Sequence, residues 1–366
     1  MRIVHTESSC GWGGQEIRIL EESRGLLARG HEVAIVCPPT SGIFRAAAAY
    51  GVPVAAVPIY KKRLPDLLAL RRWLKQAGPI DVINTHSSTD SWLVALACAA
   101  LPGAPPIVRT RHISSPIPNN MASRWLYQSA TSLIVTTGEA LRQQLINNNG
   151  FDPARIVSVT TGMDVDRYVP GDKEIAKRKL GIPCGQFLYG IVATLRFQKG
   201  HAELLRAFAE QNDTSCNLAI VGDGPQLQNI NALIAELGLA GRIFMPGNQH
   251  DILPWYQAFD AFVLPTHAEG MPQSLMQAML CALPVITTPV GSIPSAVEHE
   301  QTGLLISPRN ISELSAAMRR VRLDPVFRQR LGASAREIAL ARFDIKRMLD
   351  DMECLFYKVA KGATCN

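Results

Sequence analysis

The stretch from His267 to Met279 joins an acid and a glycine to the start of an apolar helical pattern, directly after a strand pattern ending at Leu264 and Pro265. A helix start exposes unpaired backbone amides and a partial positive charge, and a diphosphate suits both. Gly270 permits close backbone approach, Met271 and Pro272 lead into the first turn, and Ser274 and Leu275 place amides within it. Glu269 stands just ahead of the helix, where its carboxylate can accept two hydroxyl hydrogen bonds. Gln277 lies about two turns in, on a face that reaches a ribose. Taken alone, the same residues also describe a strand–loop–helix turn with a capping acid.

Two more groups fall between a strand pattern and a helix pattern. Arg196 and Lys199 lie within 195–201. Two cations at the carboxyl end of a strand neutralise a leaving diphosphate as its charge develops; a solvated basic loop is the alternative. Gly13 and Gly14, in the turn at 11–16, let backbone meet a ligand just after the first strand pattern. That turn is not G-x-G-x-x-G and the chain has no G-x-x-x-x-G-K-[ST] loop, which argues against a dinucleotide oxidoreductase and against P-loop chemistry.

Positioning these residues falls to short β-branched runs that alternate with longer helical patterns. Strand patterns occur at 3–5, 32–37, 54–59, 82–85, 107–111, 133–137 and 156–160. They are nearly continuous in apolar residues, as in a parallel sheet covered by helices on both faces, and the strand–helix alternation predicts a doubly wound α/β arrangement. A second set follows at 187–194, 218–221, 243–245, 261–265, 284–287 and 304–306, after a cluster of Pro, Gly and charge at 170–173. The expected division is an amino-terminal Rossmann-like domain at 1–168, a second at 173–343, and a closing helix at 344–366. A hinge is expected at 169–172, and a ligand crevice at the carboxyl ends of the strands. The closing helix carries Ile345, Met348, Leu349, Met352, Leu355, Phe356 and Val359 on one face.

A chain of 366 residues suits two domains, and 47% hydrophobic with 19% charged residues is the balance of a globular protein. A net charge of +6 fits an anionic ligand or surface and no nucleic-acid partner. The eight cysteines form no C-x-x-C pair and no zinc spacing, as expected of reduced thiols in a cytosolic protein. Apolar stretches such as 92–101 fall short of the roughly 20 residues a membrane span needs, and Met1 runs straight into a strand pattern without a signal region. Lys61, Lys62 and Arg63 precede a helical stretch at 65–76 with Leu67, Leu70 and Leu74 on one face, widened by Leu68 and Trp73, and with Arg71, Arg72 and Lys75 beside them. A surface helix packed on its own sheet is one reading. Peripheral docking on the inner face of a membrane is the other.

In their order and spacing these motifs resemble the family 4 retaining glycosyltransferases of the GT-B fold, of the bacterial surface-polysaccharide type. The second domain carries the likeness through Lys199-Gly200, Val221-Gly222-Asp223-Gly224-Pro225, Glu269-Gly270, Gly291-Ser292-Ile293-Pro294, Glu298 and Thr302-Gly303-Leu304-Leu305. Thr161 to Asp166 resembles the family's interdomain stretch, and the first domain matches more loosely through Gly13-Gly14, His86 and His112. The likeness covers nearly the whole chain, and its motifs are specific as a set. It implies two doubly wound Rossmann-like domains with an interdomain cleft, and a closing helix that crosses back onto the first domain. It also implies Gly222 and Gly247 as additional donor-binding residues, and His112, Glu269, Arg196 and Lys199 as the catalytic group.

The implied reaction transfers a sugar from a UDP- or GDP-linked donor to a glycan or lipid-linked acceptor, in lipopolysaccharide or other surface-polysaccharide synthesis. The acceptor hydroxyl attacks from the face that the diphosphate leaves, a phosphate oxygen takes the proton, and the configuration is retained. His112 orients the reacting sugar. The family's E-x7-E pattern has its second acid replaced by Gln277, and the Arg expected five residues before the Lys is Thr194, leaving Arg196 to supply the cation. Asp164-Val165-Asp166 spells a D-x-D but reads as a turn and helix start, so no metal and no other cofactor is expected. A nucleotide-sugar epimerase and a non-catalytic nucleotide-sugar binding or partner protein are the competing readings.

Overall fold

The computed structural model describes residues 1–99, 101–113 and 115–362, in two compact units. The first comprises Met1–Gly162 and Ile345–Asn366, the second Met163–Asp344. The first unit contains β1 (Arg2–Thr6), β2 (Glu32–Cys37), β3 (Val54–Ala56), β4 (Val82–Thr85), β5 (Ile107–Arg111), β6 (Leu133–Thr136) and β7 (Ile156–Ser158). They form one parallel sheet in the order β3-β2-β1-β4-β5-β6-β7, with Ile3 in register with both Val33 and Val82. β4 and β5 are buried along their whole length, their polar Asn84, Thr85, Arg109, Thr110 and Arg111 included, because helices cover both faces. β3 stops at Ala56, short of the expected residue 59, because Pro58 has no N–H for the ladder and Ile59 N turns back to Val57 O at 2.8 Å.

The closing helix Ile345–Ala360 belongs to this first unit. Its spacing of three and four places Met348, Leu349, Met352, Leu355, Phe356 and Val359 in one buried cluster with Ile3, Leu26, Val82 and Val108. It packs against the helix Gly14–Ala28, where a β-carbon on Gly25 would lie 2.4 Å from Leu349 Cδ1. The opposite face of the sheet buries Val4, Ile83, Leu93, Val94 and Tyr127.

The second unit contains β8 (Phe187–Val192), β9 (Cys216–Val221), β10 (Ile243–Gly247), β11 (Ala261–Leu264), β12 (Val285–Thr287) and β13 (Gly303–Leu305). Their parallel order is β10-β9-β8-β11-β12-β13, so the strand order reverses beside β8 as it does beside β1. Residues 163–171 also pack on this unit. Met163 N donates to Phe343 O at 2.7 Å, Gln257 Nε2 to Val169 O at 3.2 Å, and a β-carbon on Gly171 would meet Gln257 Cδ at 2.6 Å. The stretch expected as a hinge is thus held by the second unit, and the chain passes between units at 162–163 and at 344–345.

Candidate functional site

All strands of the second unit run parallel, so their carboxyl ends share one edge and the loops after them meet there. The loop after β8 carries Arg196 and Lys199, and the loop after β11 carries Glu269. Thr266 Oγ1 and His267 N both donate to Gln198 O, at 2.8 and 2.7 Å, and this brings the two loops together. Lys199 Nζ then pairs with Glu269 Oε1, with both side chains mostly shielded from solvent. Arg196 is exposed, its amide held by Thr194 O at 2.8 Å.

Two glycines make this edge possible. Gly291 has φ +58°, a left-handed conformation that L side chains avoid, and a β-carbon there would lie 2.0 Å from Glu269 O. The next residue, Ser292, donates its amide to Gly270 O at 2.8 Å, so the loop after β12 supports the loop that carries Glu269. Gly222 has φ +140°, and a β-carbon there would lie 2.0 Å from Ala193 O; its amide donates to Gly247 O at 3.0 Å.

The helix Gln273–Leu280 begins after Pro272, as the sequence predicts, with Pro272 buried and Met271 half-buried against the core. Two expectations at this helix change. Leu275 does not offer its amide to a ligand: the amide turns back to Pro272 O at 3.2 Å. Gln277 does not present its side chain toward a ribose. It is buried, its Oε1 accepts from Tyr256 Oη at 2.9 Å, and its Nε2 donates to Tyr168 Oη at 3.0 Å. Every residue from Leu275 to Leu280 is buried, so position 277 belongs to the inward part of the helix. Ser274 stays half-exposed in the first turn.

On the first unit, Gly13 and Gly14 stand where the helix Gly14–Ala28 begins, and Gly13 O accepts from Ile17 N at 3.1 Å. The residues that immediately follow β1, β4 and β5 are Glu7, His86 and His112. These strands are neighbours, and so are their termini. His86 Nδ1 lies 2.9 Å from His112 Nε2, and His86 Nε2 lies 2.9 Å from His5 Nδ1. His86 and His5 are buried and His112 is half-buried. Burial holds all three well below the ordinary imidazole range, His5 at about 3, and the charge of Arg18 acts in the same direction.

Sequence reasoning missed two acids beside this chain. Glu7 is fully buried and accepts from Ser9 N at 2.6 Å and from Gln15 Nε2 and Ser87 Oγ. Asp90 is also fully buried and accepts from His86 N and Ser87 N, each at 2.9 Å, and from Thr6 Oγ1 at 2.8 Å. Burial pushes Glu7 up to about 8 and Asp90 to about 6, with the charge of Asp90 adding to the effect on Glu7. An acid directly after the first strand pattern and ahead of glycines was the available signal for Glu7. Nothing local marked Asp90.

Asp164 Oδ1 accepts from Asp166 N at 3.2 Å and Arg167 N at 3.0 Å, the turn expected of this D-x-D, but no helix starts there: the next helix begins at Lys173, capped by Asp172. Among the described residues, no group of three or more His, Cys, Asp or Glu is placed to hold a metal ion, and no helix is long and apolar enough to cross a membrane.

Two family models match the chain. Residues 12–167 match Glycosyltransferase Family 4, and residues 172–338 match Glycosyl transferases group 1. The two stretches nearly adjoin and take in every strand but β1. The chain belongs to the family 4 glycosyltransferases. It is 29% identical over 369 residues to a D-inositol 3-phosphate glycosyltransferase of Frankia alni, an alignment that covers 88% of this chain and 89% of the relative. Among solved structures it is similar to a glycosyltransferase from Rickettsia africae, with a TM-score of 0.88, 19% identity and 99% of each chain covered. It is also similar to Anabaena HepE in complex with UDP-glucose, with a TM-score of 0.87, 21% identity, and 98% of this chain and 100% of that chain covered. These structural likenesses establish the GT-B fold, with a seven-stranded and a six-stranded Rossmann-like sheet.

Proposed function

We propose that this glycosyltransferase moves a sugar from a UDP- or GDP-linked donor to a glycan or lipid-linked acceptor in surface-polysaccharide or lipopolysaccharide synthesis, with retention of configuration and without a metal. The observation that carries the donor side is the pairing of Lys199 with Glu269 across two loops at the carboxyl edge of the second sheet. A cation there meets the diphosphate, and the carboxylate beside it accepts from sugar hydroxyls. Arg196 is the second cation, exposed on the same loop. Gly222, Gly247, Gly270 and the first turn with Ser274 supply close-approaching backbone, and Gly13 and Gly14 do so on the first unit. His112 is assigned to orient a substrate hydroxyl. The acceptor oxygen attacks carbon on the side the diphosphate leaves, the C–O bond to phosphate breaks, and a phosphate oxygen takes the proton. No side-chain nucleophile is needed, so the protein acts by positioning and by charge.

A small polyol phosphate as acceptor is the second reading, favoured by the D-inositol 3-phosphate glycosyltransferase at 29% identity. A peripheral contact with an anionic membrane is part of the first reading: Lys61, Lys62, Arg63, Leu64 and Leu68 are all exposed on one stretch of the first unit.

Thermal unfolding of the full chain with UDP, GDP, ADP and CMP, and with their sugar conjugates, tests the donor side, each with and without EDTA. One nucleotide family is expected to raise the midpoint, since a ligand of the native state alone must do so. Lys199→Ala is expected to lose most of that rise. A well-folded chain that responds to none of them sinks the donor reading. A response that vanishes with EDTA sinks metal independence.

A further inference from the structure

His5, His86 and His112 form a chain of imidazoles that leads from the core of the first unit to its surface, with 2.9 Å at both links. A neutral imidazole has one nitrogen that donates and one that accepts, so such a chain has only two polarities. In one, His5 Nδ1–H donates to His86 Nε2, His86 Nδ1–H donates to His112 Nε2, and the last proton sits on His112 Nδ1. In the other, both bonds reverse, His112 donates inward, and His5 must carry its proton on Nε2.

The far end decides between them. His5 is fully buried, and its Nε2 has no hydrogen-bond partner among the described residues. The reversed polarity strands an N–H donor there, and buried orphan donors are rarer than buried orphan acceptors. The first polarity leaves only a lone pair. Protonating His112 is disfavoured for the same reason: a second proton on that ring obliges Nε2 to donate inward, reverses both bonds and delivers the stranded N–H to the core. Asp90 keeps the middle ring in place, since its Oδ2 accepts from His86 N at 2.9 Å and from Thr6 Oγ1 at 2.8 Å. Burial and the charge of Arg18 oppose an added proton on any of the three rings, and Arg109 does so at His86 and His112.

We propose that His5 and His86 are positioning residues that fix the proton of His112 on Nδ1, so that His112 meets a ligand as a hydrogen-bond donor and not as a base. That the group receiving this bond is a substrate hydroxyl rests on the transferase reading above. The tautomer itself does not. A donor at this place fits a reaction in which the leaving phosphate takes the acceptor's proton, because a base is then superfluous and an aimed N–H is useful. In water the Nε2–H tautomer predominates, so a His112 released from the chain relaxes to it.

The test is a long-range proton–nitrogen correlation spectrum of the full chain labelled with nitrogen-15 histidine, with the His112 signals assigned by their loss in His112→Ala. Near neutral pH, native His112 is expected to show a protonated Nδ1 and a bare Nε2. His86→Phe removes the donor and is expected to shift His112 to mostly Nε2–H. His86→Asn, whose side-chain amide can still donate to His112, is expected to keep Nδ1–H. A native His112 protonated on Nε2 overturns the proposal whether or not any variant folds, and so does a tautomer unmoved in folded His86→Phe. In a turnover assay, His86→Phe is expected to lose on the order of 10²-fold in kcat, the usual effect of one misplaced donor, with little change in donor KM and with recovery in His86→Asn. If no nucleotide binds, the transferase reading falls, and the spectrum still decides the tautomer.

Discussion

The amide of Gln277 serves two buried phenols at once, accepting from Tyr256 and donating to Tyr168. Gln277→Leu keeps the volume but leaves both hydroxyls without that partner, at a cost of roughly 2 kcal/mol or more in urea unfolding. The rise in thermal midpoint caused by the bound nucleotide should nevertheless match that of the native chain, because the amide faces inward. A folded Gln277→Leu that loses the ligand response would return the residue to the ribose. The residue types at 269, 199 and 277 were legible in the sequence, and so was the pairing of strand end with helix start. The direction of the 277 side chain was not. It depends on Tyr168, 109 positions away, and on Tyr256, 21 away.

At the scale of elements, the helix Leu64–Gln76 shows what periodicity leaves undecided. Leu70 and Leu74 are buried, and Leu67 and Trp73 pack partly against the same core, so the face read from the sequence is occupied by the protein's own sheet. Leu68, read from the sequence as widening that face, instead lies outside it with Leu64, the two 53% and 66% exposed, with Arg72 and Lys75 also exposed. If this second face docks on lipid, the chain should float with vesicles rich in anionic phospholipid and not with neutral ones, and Leu64→Ser with Leu68→Ser should abolish flotation while leaving the thermal midpoint nearly unchanged. A native chain that stays at the bottom of the gradient with anionic vesicles would end the membrane reading. Strands were the more legible elements, since a buried parallel strand tends toward a near-continuous apolar and β-branched run. Their ends were less so, as the edge strand β3 shows, where a single proline stopped the ladder.

For the whole molecule, the buried histidines set an acid limit on stability. His5 has a folded pKa depressed from 6.5 to about 3, so its contribution is fully present above pH 6.5 and is lost as pH falls from there toward 3. The unfolded chain takes up the proton that the folded chain refuses, which costs up to about 1.4 kcal/mol per pH unit in that window. His86 and His112 are shifted the same way. Glu7 works in the opposite sense. Its pKa is raised from 4.5 to about 8, so its favourable contribution is complete below 4.5 and is lost as pH rises toward 8. Urea midpoints should therefore fall on acidification from pH 6.5 to 5, where the depressed His5, His86, His112 and His201 outweigh the raised acids Glu7, Asp90 and Glu22, and His5→Gln should show a shallower fall. A midpoint that is flat or rising across that interval contradicts the burial of neutral histidines. The sequence alone determined the doubly wound α/β class, the two sheets and the family, because these follow from local apolar runs and from motifs within a few residues of a strand end. Only the tertiary structure decided the histidine chain, the Glu7 and Asp90 network, the inward turn of Gln277 and the chain's crossing points at 162–163 and 344–345. Each of these is a contact between residues remote in the chain, such as the 81 positions that separate His5 from His86, and strand order, not spacing, brings them to one edge.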